Sequence, residues 1–310
     1  MRLLLARIPL AGVCTIVLAF LAVPSAAQPG PSGTWSTGTP MPTPRYGLAV
    51  AVVGDKIYAI GGQLWGTTID AVEQYDPIAD AWISRAPMPT PRRHPAAAVV
   101  NGKIYVIGGY KDGPGVLDTV EEYNPQTDVW VTKASMPTAN YSLQAEVVNN
   151  KIYAIGGYHA RDAVVEYDPV TDTWTAKAPM PTPRWAFASG VVNGKIYAIG
   201  GYMDGLGVLA SVEEYNPQTD VWVTKASMPT ARVGPSAAVV YSSIYVMGGE
   251  NGVDLDTVER YNAASDAWTA MPSMPTPSYA LSSGALYSKI YAMGGLLYLP
   301  SGPTFLVHRR

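Results

Sequence analysis

The chain repeats one pattern of apolar and polar positions six times. In the copy from Arg92 to Pro137, a run of small apolar residues ends at Val100, and a polar turn follows. A second apolar run begins at Ile104 and ends in a double glycine, after which come a variable loop, a Val-Glu-Glu-Tyr segment and a Val-Trp segment. Short β-patterned runs separated by turn residues predict strands, so each copy is predicted to form a four-stranded antiparallel sheet.

The double glycine gives the period of the repeat. It begins at six positions, separated by 44 to 48 residues: Gly61, Gly108, Gly156, Gly200, Gly248 and Gly294. A fixed period of this length is typical of repeat folds whose units bury their faces only by stacking on neighbours. The sequence therefore predicts a single all-β domain over residues 34–310.

Three recurring features carry a resemblance to a known family. In five copies the double glycine is followed by a Tyr on the third strand and then by a Trp. These pairs are Tyr75 and Trp82, Tyr123 and Trp130, Tyr167 and Trp174, Tyr215 and Trp222, and Tyr261 and Trp268. The pattern resembles the kelch repeat, which implies a six-bladed kelch β-propeller with four-stranded antiparallel blades. The Tyr and Trp side chains are predicted to pack between blades.

The sixth copy is incomplete. After Gly294 and Gly295 only the segment from Thr304 to Arg310 offers a further strand, whereas a Trp stands near the start of the chain as Trp35. We therefore predict that the N-terminal strand closes the last blade beside three C-terminal strands. Closure of this kind removes two free sheet edges.

Residues 1–27 are predicted to be an export signal, followed by a short linker over residues 28–33. Arg2 and Arg7 precede an apolar run from Ile8 to Val23, and small residues follow at the expected cleavage site. The alternative is an uncleaved membrane anchor, because the apolar run is long for a signal. With cleavage, we expect a periplasmic or secreted protein that is not held in a membrane.

Composition excludes several function classes. Removal of Arg2 and Arg7 from the 21 basic side chains leaves 19 against 24 acidic ones, a net charge of −5 that does not favour nucleic acid as a partner. The single cysteine, Cys14, lies in the predicted signal, so disulfides and thiolate chemistry are not expected. The three histidines lack metal-ligand spacing. Neither a metal nor a cofactor is predicted.

Variation between copies is concentrated in one loop. Residues 101–139 and 193–231 match at 34 of 39 positions, and four of the five differences lie in or beside the loop after the double glycine. In an up-and-down blade this loop shares one side of the disc with the connections between blades. We name this side face A and the opposite side face B. Loops on a rigid scaffold usually carry binding residues, which favours face A as the functional surface.

The starts of the inner strands provide candidate site residues near the mouth of the central channel. Aligned on the repeat, they are Arg45, Arg92, Asn140, Arg184, Arg232 and Ser278. In the third copy, alternate positions continue as Ser142, Gln144 and Glu146. An unpaired buried polar group costs about 1–3 kcal/mol, so this strand is predicted either to face water or to belong to a polar site.

Two interpretations of these residues are open. In the first they bind an anionic or sugar-like ligand at the channel mouth, with weak catalytic candidates in His94 and Glu146. The ligand-binding set is then Arg45, Arg92, Asn140, Tyr141, Gln144, Glu146, Arg184, Trp185 and Arg232. Arg suits carboxylates because its planar fork bonds both oxygens. In the second, each Arg pairs with a Glu of its own repeat: Glu73, Glu121 or Glu122, Glu213 or Glu214, and Glu259.

The kelch resemblance implies a platform for protein interaction. We therefore expect a monomeric binding module that takes a protein, a peptide or an acidic carbohydrate on face A. The alternative is an enzyme similar to the sialic acid epimerases (mutarotases), exported six-bladed kelch proteins. That resemblance would make Glu146 a general base and place the arginines on the carboxylate of the sugar. Copper chemistry of the galactose oxidase type needs a Cys–Tyr crosslink, which the mature chain cannot form.

Overall fold

The protein, described here by a computed structural model over residues 15–21, 33–299 and 302–305, is an all-β propeller built of four-stranded antiparallel sheets. Five sheets, blades 1 to 5, each take four strands in chain order from the channel outwards. Blade 1 contains Ala49–Val53, Lys56–Ile60, Val72–Asp76 and Ala81–Ser84. Blade 2 contains Ala96–Val100, Lys103–Ile107, Val120–Asn124 and Val129–Lys133.

The remaining blades repeat this order. Blade 3 contains Gln144–Val148, Lys151–Ile155, Val164–Asp168 and Thr173–Ala176. Blade 4 contains Ala188–Val192, Lys195–Ile199, Val212–Asn216 and Val221–Lys225. Blade 5 contains Ser236–Val240, Ser243–Met247, Val258–Asn262 and Ala267–Met271. The described residues include no helix that is long and apolar enough to cross a membrane.

The structure thus has five blades of consecutive strands, not the six that were predicted. A further four-stranded sheet, here called the closing sheet, combines both ends of the chain. From the channel outwards its strands are Ser282–Leu286, Lys289–Met293, Thr15–Leu21 and Gly33–Gly38. The predicted three C-terminal strands are therefore two. The next segments, Leu296–Leu299 and Gly302–Phe305, pair with each other as a hairpin instead of joining the sheet.

The predicted signal and linker lie largely outside the described residues, which omit 1–14 and 22–32. The part that is described, Thr15–Leu21, pairs with Lys289–Met293 on one side and with Gly33–Gly38 on the other. The prediction that residues 306–310 contribute to a strand also lies outside the described range. Export remains a prediction from the sequence.

Short hairpins stand on face A after several of the double glycines. They pair Gln63–Leu64 with Thr67–Thr68, Tyr110–Lys111 with Gly115–Val116, and Tyr202–Met203 with Gly207–Val208. Single β-bridges join these loops to the residue that lies three positions before the inner strand, as between Arg93 and Tyr110 or Trp185 and Tyr202. The predicted meeting of variable loops and interblade connections on one face is confirmed.

The interface of blades 1 and 2 shows how neighbouring blades pack. Tyr58 of blade 1 meets Tyr123 of blade 2 at a ring-centroid distance of 6.1 Å, and Trp130 lies 4.9 Å from Tyr123. The Trp130 indole N–H donates to the carbonyl oxygen of Ala86, which lies in the connection between blades 1 and 2, at 3.0 Å. Buried Met88 completes the cluster. Equivalent clusters recur around the disc, so the predicted packing role of Tyr and Trp is confirmed.

A closed circle of backbone hydrogen bonds joins the inner strands. One residue precedes each inner strand, and its N–H donates to the carbonyl oxygen of the equivalent residue in the preceding sheet at 2.6–3.2 Å. The six residues are Gly47, His94, Ser142, Ala186, Gly234 and Ala280. All six have positive φ, between 47° and 62°. This backbone circle fixes the width of the channel on its face A side.

Candidate functional site

A cavity of about 320 Å³ occupies the centre of the disc and is lined by all five blades and the closing sheet. Its walls are the backbone circle and the first residues of each inner strand. Gln144, Glu146 and Ser189 of blades 3 and 4 form the part of the lining that we call the polar wall. Residues such as Val50 and Ala97 of blades 1 and 2 form the part that we call the apolar wall, and blade 5 and the closing sheet add the hydroxyl groups of Ser236, Ser282 and Ser283. The carboxylate of the cavity therefore lies on the polar wall.

The polar wall is a small hydrogen-bonded group. The Ser189 hydroxyl donates to Glu146 Oε1 at 2.6 Å, and the Gln144 amide donates to the carbonyl oxygen of Phe187 at 2.5 Å. These contacts give hydrogen-bond partners to the polar side chains of the inner strand of blade 3. The sequence predicted that this strand either faces the channel or belongs to a polar site, and it does both, because Gln144 and Glu146 line the cavity and are hydrogen-bonded there.

Glu146 is the carboxylate of the cavity. Burial raises its pKa to about 7, and the hydrogen bond from Ser189 opposes that rise. A carboxyl group with this pKa changes its charge near neutral pH, so it is suited to proton transfer and to pH-dependent binding.

His94 lies on the apolar wall, where its ring is next to Gly47 at the entry to blade 1. Burial, and to a smaller extent the charge of Arg93, lower the pKa of His94 to about 4. The imidazole is therefore neutral at physiological pH. Its backbone belongs to the hydrogen-bonded circle, donating to Gly47 and accepting from Ser142.

A continuous series of five aromatic rings lies on face A beside the cavity. We call it the aromatic arc: Tyr110, Tyr141, Tyr158, Trp185 and Tyr202. Successive ring centroids are 5.8, 4.9, 5.3 and 5.4 Å apart, and Tyr141 stacks on Tyr158 at 26°. Tyr141 and Trp185 also line the cavity. The Trp185 indole N–H is buried without an acceptor among the described residues.

Two arginines lie at the outer edge of the arc. The Arg93 guanidinium is 4.4 Å from the centroid of the Tyr110 ring, and that of Arg161 is 5.4 Å from Tyr158. Arg93 is also paired with Asp112 at 3.1 Å, and Arg161 with Asp204. The arc therefore accepts guanidinium groups against its faces, while each of these charges already has a partner.

The four arginines predicted at the channel mouth are not part of the cavity. Arg45, Arg92, Arg184 and Arg232 are at most 1% exposed. Each pairs with the glutamate of its own repeat, at 2.5–3.0 Å: Glu73, Glu121, Glu213 and Glu259 respectively. The assignment of these arginines to a ligand site is therefore corrected, because no surface remains on them for a ligand. The alternative interpretation, pairing within the repeat, is confirmed.

Asn140 occupies the same buried position in blade 3. Its amide donates to the carbonyl oxygen of Gly156 at 2.7 Å, as Arg92 donates to that of Gly108 at 2.8 Å. Asn140 is 4% exposed and does not line the cavity, so it too is removed from the predicted ligand set. From that set Tyr141, Gln144, Glu146 and Trp185 do reach the cavity, together with His94.

Several residues of the site were not identified from the sequence. The tyrosines after the double glycine, Tyr110, Tyr158 and Tyr202, belong to the variable loop and were not singled out as site residues. Their recurrence at one position in three successive blades was a usable signal. Ser189 had no such signal, because it stands in a run of small residues. In the described part of the chain, no three His, Cys, Asp or Glu side chains gather closely enough to hold a metal ion.

Comparison with known proteins agrees with this architecture. The fold is similar to that in "Structure of YjhT", with a TM-score of 0.71, 18% sequence identity, and coverage of 86% of this chain and 98% of that chain. No curated protein sequence is significantly similar to the chain. The sequence model of the Attractin/LZTR1 beta-propeller family matches residues 32–258, which is more than half of the chain. The chain therefore belongs to the Attractin/LZTR1 beta-propeller family and is a kelch-type β-propeller.

Proposed function

We propose that the protein is a binding module that holds a ligand between the aromatic arc and the cavity on face A. The observation that carries this proposal is the arc itself, five adjoining rings that lead to a cavity with one polar wall. Aromatic faces suit sugar rings and peptide side chains, and concave sites with a few convergent polar groups are typical of ligand binding. The kelch-type fold is compatible with this function but does not establish it.

Binding assays on variants of the arc test the proposal. The purified protein would be screened against immobilised peptides and oligosaccharides, and hits measured in solution with Trp185→Ala and Tyr158→Ala. Truncation of a central aromatic contact typically costs 2 kcal/mol or more, so we expect affinity to fall about 30-fold. Tyr241→Ala is the matched control, because Tyr241 is exposed in a face B turn. Equal affinity in the arc variants would refute the proposal.

A second candidate function is sugar-ring opening of the mutarotase type. Glu146 favours it, since a pKa of about 7 suits a general base at neutral pH. The buried arginines weaken it, because they cannot hold the carboxylate of an acidic sugar. The test is the rate of anomer interconversion of N-acetylneuraminate, with acceleration expected from the wild type and lost in Glu146→Gln. No acceleration at micromolar enzyme would eliminate this candidate.

We also infer that the closing sheet acts as a sixth blade in a monomeric protein. The six-membered backbone circle supports the inference, because its last member, Ala280, both accepts from Gly47 and donates to Gly234. Packing supports it as well, since Tyr291 of the closing sheet lies 6.2 Å from Tyr75 of blade 1. Because this sheet includes Thr15–Leu21, cleavage after residue 27 would remove one of its strands, so export is inferred from the sequence pattern of residues 1–27 alone.

A further inference from the structure

The described residues that line the cavity include an acidic side chain and no Lys or Arg. Among the described residues that line it, Glu146 is the only Asp, Glu, Lys or Arg, and the other titratable side chains are His94, Tyr141 and Tyr279. Because His94 stays neutral at physiological pH, the cavity offers no positive charge of its own. A ligand carboxylate would meet Glu146 without a counter-charge, whereas a ligand cation would find a partner.

The nearby arginines do not change this balance. The four buried ones are paired with glutamates inside the blades, and the two at the edge of the arc are paired with Asp112 and Asp204. The arc itself favours cations, because the negative faces of aromatic rings attract them. Its contacts with Arg93 and Arg161 show that guanidinium groups fit against Tyr110 and Tyr158.

We propose that the cavity receives the basic side chain of a peptide ligand, whose Lys or Arg group passes the aromatic arc and pairs with Glu146. This proposal rests on the proposed binding function and names its ligand class. A cavity of about 320 Å³ has room for one such side chain and its adjoining backbone. The Lys stem packs along the apolar wall while the ammonium group reaches the polar wall.

Binding of this kind depends on pH through Glu146. The inner strands packed on either side of it, Ala96–Val100 and Ala188–Val192, carry no titratable side chain. On the adjacent strand of its own blade, Lys151 is paired with Asp168, and Tyr153 donates to Glu166. On the apolar wall, His94 is neutral at physiological pH. Protonation of Glu146 below about pH 7 removes the partner of the ligand cation, so affinity should fall as the solution is acidified.

Three peptides that differ only in their central side chain test the proposal. Acetylated and amidated Gly-Lys-Gly, Gly-norleucine-Gly and Gly-Glu-Gly would be titrated against the full protein, with tryptophan fluorescence as the readout. We expect the Lys peptide to bind at least about tenfold more tightly than the norleucine peptide at pH 8. Glu146→Gln should abolish that preference. Glu250→Gln, which alters a face A glutamate outside the cavity, should retain it.

The outcomes separate this proposal from the proposed function. Equal or tighter binding of the norleucine or Glu peptide to the wild type overturns the proposal and leaves the binding function standing. The proposal is also overturned, and the binding function left standing, if none of the three peptides binds but a ligand from the peptide and oligosaccharide screen binds in a way that depends on Trp185. If no ligand of any kind depends on the arc, both proposals fail. A Lys preference that persists in Glu146→Gln also overturns the proposal.

Discussion

Four arginine side chains, each four residues before an inner strand, stabilise the blades they belong to. Arg184, for example, donates to the carbonyl oxygens of Gly200 and Ser211 and to the carboxylate of Glu213, all within 3.0 Å. It thereby ties the segment that leads into the inner strand to the second and third strands of the same blade. A buried guanidinium without its partner would carry a large desolvation cost, so the pair acts as a unit.

At this residue scale, Arg184→Ala should destabilise the protein. It leaves Glu213 as a buried charge without a cation and the carbonyl oxygen of Gly200 without the donor that Arg184 supplied, so we expect unfolding free energy to fall by about 3–5 kcal/mol. The measurement is equilibrium unfolding in urea. Arg161→Ala is the control: it breaks an exposed pair on face A and should cost no more than about 1 kcal/mol. An Arg184→Ala variant as stable as the wild type would contradict the structural role.

Glu146 gives the wild type a specific pH dependence. Its folded-state pKa of about 7 exceeds the ordinary value of 4.5, so the folded protein binds this proton more tightly than the unfolded chain. The corresponding stability is present below about pH 4.5 and is lost as the pH rises towards 7. We therefore expect the Tm of Glu146→Gln minus that of the wild type to increase between pH 5 and pH 8.

Removal of the Ser189 hydroxyl is a second test of the pH dependence of the Tm. The hydrogen bond from this hydroxyl opposes the rise in the pKa of Glu146, so Ser189→Ala should move the wild-type loss of stability to higher pH. A Tm difference between Glu146→Gln and the wild type that stays constant from pH 5 to 8 would show that folding does not raise the pKa of Glu146.

At the scale of elements, the turn that enters each inner strand is set by backbone geometry. All six residues of the backbone circle have positive φ, yet they comprise two Gly, two Ala, one Ser and one His. Side chains other than Gly pay a conformational cost of about 1–2 kcal/mol there. The hydrogen bond that each residue makes to the next sheet offsets that cost. Because the constraint lies in the backbone, the sequence shows no conserved residue type at this position.

Gly47→Ala tests the circle against a matched glycine. A Cβ at residue 47 would lie 2.6 Å from the His94 ring, whereas at Gly54, whose φ of 60° matches the 59° of Gly47, it would meet nothing within 4 Å. Gly54→Ala should therefore lower the unfolding free energy by only about 1 kcal/mol, the cost of placing a side chain at positive φ. Gly47→Ala should cost at least about 1 kcal/mol more, because His94 must move. Equal urea midpoints for the two variants would show that the contact with His94 is not rigid.

The repeat made most elements predictable, and the exceptions have physical causes. The buried Arg–Glu pairs were detectable in the sequence, because the blade that replaces Arg by Asn140 also replaces the paired Glu by Val165. The aromatic arc was harder to predict, since it brings together loop residues of three blades. The composition of the closing sheet could not be read from strand patterns, because its third strand is Thr15–Leu21, which the sequence pattern assigned to an export signal. The C-terminal segment Gly302–Phe305 pairs with Leu296–Leu299 instead.

At the scale of the whole molecule, closure depends on how the two ends of the chain meet. The inner strand of the closing sheet continues the backbone circle, and its outer strand brings Trp35 to the place that a repeat Trp holds in every blade. Trp35 donates to the carbonyl oxygen of Pro272 at 2.9 Å, as Trp82 donates to that of Thr39 at 2.8 Å. Trp35 packs against the cluster that includes Ile290, as predicted, whereas its strand pairs with Thr15–Leu21 and not directly with a C-terminal strand.

Trp35→Ala should weaken the whole disc rather than one blade. The substitution removes the hydrogen bond to Pro272 and the packing against the cluster that includes Ile290, so we expect a loss of about 2–4 kcal/mol in unfolding free energy. Trp65→Ala is the control, because Trp65 is 71% exposed on a face A loop and its truncation should change stability by less than about 0.5 kcal/mol. If the ring acts as one cooperative unit, Trp35→Ala lowers the urea midpoint and keeps a single transition. Two separate transitions, or no change in midpoint, would mean that the strand Gly33–Gly38 does not hold the ring closed.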